Sequence, residues 1–104
     1  MRKLVRDKIP EIMRTKSLSA KFLMATERKF EFYLRKKIKE EINEMLKAKS
    51  KQQITEEMAD VMEILDTFLA FHQISKKEMK KIRKDKVKTK GRFRRKILLI
   101  NKSF

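Results

Sequence analysis

Apolar residues recur at helical spacing in two long stretches of the chain. In the first, Leu34, Ile38, Ile42, Met45 and Leu46 share one side of a helix at about 100° per residue, with Phe30 and Tyr33 leading in. In the second, Met58, Val61, Met62, Leu65, Phe68 and Leu69 form the stripe, which Ile64 and Phe71 widen. The pattern predicts one helix over residues 27–47, with Thr26 as its N-cap. It predicts another that Thr55 caps and that ends near His72, a helix-end residue. The polar residues 47–53 between them read as the turn of an antiparallel pair.

Shorter elements flank this pair. Residues 1–9 read as an extended basic arm. Pro10 is tolerated in a first helical turn, so a short helix is expected over residues 10–16. Residues 17–25 form a connector whose Phe22, Leu23 and Met24 are expected to dock on the core. Ser75-Lys76-Lys77-Glu78 is a capping box that opens another helix, with Met79, Ile82 and Val87 facing inward and Gly91 ending it. Phe93 and the run Ile97-Leu98-Leu99-Ile100 belong to an extended tail.

Composition agrees with packed helices: one Gly and one Pro in 104 residues leave too few turn formers for a β fold. The expectation is a single all-α domain over residues 1–104, an antiparallel helical bundle. Phe30, Phe32, Tyr33, Phe68 and Phe71 exceed what one copy of this size covers, so a homo-oligomer is expected, a two-fold dimer completing a four-helix core. With no Cys, neither a disulfide framework nor a thiolate zinc site is available. The first residues lack the apolar core of a signal peptide and no apolar run spans a membrane, so a cytoplasmic location is expected. The net charge of +16 suits a polyanionic partner, whether a triphosphate or a nucleic acid.

The chemistry is carried by acids on the apolar faces. Glu41 and Glu44 stand three residues apart in the first long helix, and Glu57 and Asp60 in the second. Glu41 falls within the apolar stripe, Glu44 at its edge, and Glu57 and Asp60 on the side that Ile64 and Phe71 widen. Burying ionised carboxylates is costly unless they are paired or bind metal. Two such pairs on packed helices offer oxygen ligands to a hard divalent cation such as Mg²⁺, with Mn²⁺ as its substitute. The competing reading for Glu56 and Glu57 is a helix first turn, where acids favour the dipole.

In order along the chain, these motifs resemble the MazG-like nucleoside triphosphate pyrophosphohydrolases, the all-α group that includes phosphoribosyl-ATP pyrophosphohydrolases. Lys3-Leu4-Val5-Arg6-Asp7-Lys8-Ile9-Pro10 looks like the opening of small stand-alone members. Lys37-Ile38-Lys39-Glu40-Glu41-Ile42-Asn43-Glu44 and Glu56-Glu57-Met58-Ala59-Asp60-Val61 look like their two acidic helices. Where relatives show an Arg-Gly-Gly-Phe-like element, this chain has Lys90-Gly91-Arg92-Phe93 and lacks the second glycine.

The resemblance implies hydrolysis between the α and β phosphates of a nucleoside triphosphate, giving a nucleoside monophosphate and pyrophosphate. It implies Glu41, Glu44, Glu57 and Asp60 as Mg²⁺ ligands, Glu41 and Glu44 as catalytic residues, and Glu40 as a supporting or additional ligand. Lys37, Arg83, Lys86 and Lys90 would bind substrate, and Arg6 and Asp7 would lie near the site. Two readings compete with this one. A basic helical protein that has lost turnover would bind nucleic acid or a regulatory partner through residues 76–96. A plain bundle would spend its acids on interhelix salt bridges with Lys37 and its neighbours.

Overall fold

The computed structural model describes residues 2–102. Among them are four helices and no strand: α1 (Ile9–Thr15), α2 (Glu27–Lys47), α3 (Lys51–Phe71) and α4 (Lys76–Lys90). The chain divides into a first compact unit that ends at His72 and a second that begins at Gln73. The all-α class follows directly, and the first unit holds the arm, α1 and the α2–α3 hairpin.

α2 begins and ends where its pattern predicts. The Thr26 side-chain oxygen accepts the Lys29 N–H at 3.3 Å, satisfying one of the first-turn donors that a helix leaves unpaired. α3 departs from expectation, because Ser50 and not Thr55 is its cap. The Ser50 hydroxyl oxygen accepts the Gln53 N–H at 3.1 Å, while the Gln53 side-chain oxygen accepts the Lys49 N–H at 3.4 Å. Two exposed backbone donors are satisfied together, much as in a capping box. Thr55 lies inside the helix, where its hydroxyl donates to the Lys51 carbonyl at 2.7 Å. The connection therefore shrinks to residues 48–50, and no acid remains in the first turn of α3.

A connection this short makes the two 21-residue helices antiparallel neighbours. Residue numbers rise along α2 as they fall along the facing α3. At the open end Phe30 meets Phe71 with ring centroids 5.4 Å apart, and the Arg35 guanidinium lies 5.2 Å from the Phe68 ring centroid. Leu34 is fully buried and Val61 nearly so, and they mark the centre of the core. Met58, Met62 and Leu65 on α3 and Phe32 and Leu46 on α2 remain exposed.

The connector over residues 17–25 behaves otherwise than expected. Phe22 is 44% exposed, Leu23 63% and Met24 95%, so they do not dock on the core. The segment has neither helix nor strand, and no backbone ladder holds its side chains against the hairpin. α1 stops just before it: the Leu18 N–H donates to the Met13 carbonyl and the Ser17 N–H to that of Arg14, with Ser17 at φ 56°. This is the left-handed helix ending known as a Schellman motif.

In the second unit, Ser75 caps α4 by accepting the Glu78 N–H at 3.0 Å. Gly91, at φ 83°, ends the helix as expected, in a conformation that residues with a Cβ rarely adopt. Met79 and Val87 are half-buried, whereas Ile82 is exposed and not inward-facing. Lys and Arg dominate every face of α4, leaving too narrow an apolar stripe to cover it. Beyond Gly91 the described chain has no helix or strand, and Phe93 and Ile97 to Ile100 are exposed.

Candidate metal centre

The hairpin brings acids of both helices together in the half nearer its turn. One carboxylate oxygen from each of Glu41, Glu57 and Asp60 lies within 4.8 Å of the others. All three residues are partly covered, the Glu41 side chain to 13% exposure. α3 supplies two of them because residues three apart stand nearly above one another. α2 supplies Glu41 from within its apolar stripe. Glu44 stands outside this trio and is exposed.

The charges around the trio are unevenly matched. Lys37 Nζ lies 3.3 Å from Glu41 Oε1 and 3.4 Å from Glu40 Oε2. Both pairs are made within α2, so Lys37 does not bridge the helices as the plain-bundle reading requires. The cation that comes from elsewhere is Arg6 of the arm, whose Nη2 donates to Asp60 Oδ1 at 2.7 Å. Both partners are well exposed, so this pair contributes at most about 1 kcal/mol. Among the described residues Glu57 has no cation at all. Its carboxyl is held above the usual carboxylate range, first by loss of solvent and then by the negative charges of Asp60, Glu44, Glu41 and Glu56. Glu44, though outside the trio, is thus felt within it.

The start of α3 at Lys51 bears on what these acids are for. Glu56 and Glu57 sit in the second turn, and the helix dipole acts within the first. Dipole compensation therefore does not account for them. Three oxygen donors, one without any counter-charge, match the preference of small hard cations for carboxylate and water ligands.

The remaining residues that the sequence singles out lie elsewhere. Arg83, Lys86 and Lys90 are exposed along one side of α4, in the second unit. His72 caps the end of α3 and lies 3.6 Å from Glu31 Oε1 at the open end of the hairpin. Asp7 is exposed in the arm. The contact that residue pattern alone missed is Arg6 with Asp60. Only the likeness of the arm motif pointed to it, since an extended arm has no periodicity to reveal its facing.

With this geometry in hand, the comparison with protein families is specific. A sequence description of the phosphoribosyl-ATP pyrophosphohydrolase family matches residues 6–86 of the 104. The chain belongs to this family. The matched range opens at Arg6, encloses the α2–α3 hairpin with all three clustered acids, and closes at Lys86 on α4. Family membership agrees with the all-α, MazG-like architecture. Comparison with curated proteins and with solved structures gives no match. No helix among the described residues is long and apolar enough to cross a membrane.

Proposed function

We propose that the protein is a Mg²⁺-dependent nucleotide pyrophosphohydrolase that cleaves between the α and β phosphates of a nucleoside triphosphate. The observation that carries this reading is the convergence of Glu41, Glu57 and Asp60 from two helices, in a chain of a pyrophosphohydrolase family.

Glu41, Glu57 and Asp60 would hold the metal, and Glu44 would join them by turning inward from the next turn of α2. Bound there, Mg²⁺ (or Mn²⁺) supplies charge stabilisation at the phosphate oxygens and acidifies water. In the reaction, the oxygen of a water molecule bonds to one phosphorus of the α–β anhydride. The bridging P–O bond breaks with its electron pair moving to the bridging oxygen, and pyrophosphate and the nucleoside monophosphate separate. The proton lost by water goes to a carboxylate of the cluster. The Glu57 carboxyl, held above the usual carboxylate range by lost solvent and its acidic neighbours, is a candidate for that role. Lys37, held between Glu40 and Glu41, keeps the Glu41 carboxylate oriented and offers its ammonium to a phosphate.

The test is pyrophosphate release from a panel of nucleoside triphosphates and phosphoribosyl-ATP, with Mg²⁺ and with chelator. Release from at least one nucleotide is expected, abolished by chelator and lowered at least about 100-fold in Asp60→Asn with helical content retained. Equal rates in Asp60→Asn and the parent chain would contradict the assignment.

A further inference from the structure

A second group of charges lies beside the acidic trio, within the same unit. Arg2 and Lys3 of the arm and Tyr33, Lys36, Lys37 and Glu40 of α2 line a hollow of about 300 Å³. Four cations share it with one carboxylate. Lys37 is engaged by Glu40 and Glu41, but among the described residues Arg2, Lys3 and Lys36 have no carboxylate partner. The Lys36 ammonium lies instead 5.4 Å from the Phe32 ring centroid and 6.0 Å from that of Tyr33. Aromatic faces hold an ammonium in place without neutralising it. Like charges gathered in a recess repel one another and attract an anion.

Two connections run from this hollow to the acids. Lys37 lines the hollow and touches Glu41 at 3.3 Å. The arm that brings Arg2 and Lys3 to the hollow goes on to lay Arg6 against Asp60 at 2.7 Å. Positive and negative subsites are therefore adjacent along a single track, as an extended polyphosphate bridged to a metal requires. The volume stands at the lower end of the range for small-molecule sites, about 300–1,000 Å³. It suits a short phosphate chain better than a whole nucleotide; Leu4 and Tyr33 share the lining, and the guanidinium and ammonium groups among it suit phosphate oxygens better than base edges.

We propose that this hollow is the pyrophosphate subsite. It takes the β and γ phosphates of the substrate, and then the leaving pyrophosphate, while the α–β anhydride lies at Glu41, Glu57 and Asp60. The proposal rests on the nucleotide reading for its orientation, but not for the binding of pyrophosphate itself. It assigns the arm a role in substrate binding, where the family resemblance pointed to Lys37 of α2 and to Arg83, Lys86 and Lys90 of α4.

The sequence provides a local reporter. Tyr33 is the chain's one tyrosine and there is no tryptophan, so tyrosine emission arises in the lining of the hollow. The full chain is titrated with inorganic pyrophosphate in the presence of Mg²⁺, followed by Tyr33 emission and by calorimetry. The parent is compared with an Arg2→Ala/Lys36→Ala variant and with Lys80→Ala/Lys84→Ala on α4, which removes the same charge elsewhere. Saturable binding is expected in the parent, weakened about tenfold or more in Arg2→Ala/Lys36→Ala and unchanged in the α4 variant. Equal affinity in the two variants, or no saturable binding by either method in the parent, overturns the proposal. A nucleoside monophosphate titrated in the same way should be indifferent to Arg2→Ala/Lys36→Ala. A loss of its affinity as large as that of pyrophosphate would give the hollow to the nucleoside end and overturn the assignment. These readouts need no turnover. If no nucleotide is hydrolysed yet pyrophosphate binding is lost in Arg2→Ala/Lys36→Ala, the subsite stands and the enzymatic reading falls.

Discussion

Glu57 is the carboxylate with most to gain from a cation, and its titration gives a test free of any enzymatic assumption. Its folded-state pKa is raised by lost solvent and by four neighbouring carboxylates. Between the unfolded and folded pKa values the native state binds more protons, so this group lowers stability as pH rises through that window. Above the folded value the penalty is present in full, and below the ordinary carboxylate range it vanishes. Without divalent cations, Glu57→Gln is therefore expected to melt at a higher temperature than the parent at pH 7.5. The advantage should shrink as the pH is taken to about 4. Saturating Mg²⁺ should reverse the order at pH 7.5, because a ligand of the native state stabilises only the chain that binds it. A lower melting temperature for Glu57→Gln at pH 7.5 without metal would contradict the account. At this scale the sequence is a good guide where a helix supplies the facing: Glu41, Glu57 and Asp60 follow from their offsets to the apolar stripes. It is a poor guide in the arm, where Arg2, Lys3 and Arg6 have no repeating geometry to place them.

At the scale of elements, α2 is legible in full, because Thr26 is the one capping residue before an uninterrupted apolar period. α3 is not, because the sequence offers two caps, and acids after Thr55 imitate a first turn. What decides between them is that Ser50 has Gln53 three residues on, so two backbone donors are satisfied at once. Ser50→Ala is expected to destabilise the protein by about 0.5–2 kcal/mol. Thr55→Val, which removes only a hydroxyl bonded back to Lys51, should stay within about 0.5 kcal/mol. Chemical denaturation of both variants checks this, and the reverse order would restore Thr55 as the cap. The choice also has a functional consequence. Starting α3 at Ser50 moves Glu56 and Glu57 beyond the reach of the dipole and leaves Glu57 unmatched unless a cation comes to it.

For the whole molecule, the core is thin, with only Leu34 and Val61 buried among the described residues. A fully buried aliphatic side chain contributes about 1.5–3 kcal/mol, while ordering each backbone residue costs about 1–2 kcal/mol. A hairpin that leaves Ile54, Met58, Met62 and Leu65 exposed on one helix has apolar surface to spare. We propose that a second copy covers this stripe and completes a four-helix core. Sedimentation at micromolar concentration should give twice the monomer mass, and Met62→Lys should return the mass to that of one chain. A monomer in the parent would contradict the proposal. The surplus of apolar residues in the sequence calls for a covering surface, but the stripe alone does not say which surface meets it, since it reads the same whichever one covers it. The central claim is narrower and lies at the trio itself. Calorimetric titration of Mn²⁺ into the parent chain, Glu57→Gln and Asp60→Asn tests it most directly. Saturable binding that weakens about tenfold or more in each variant is the predicted result, and an isotherm that neither substitution changes would contradict it.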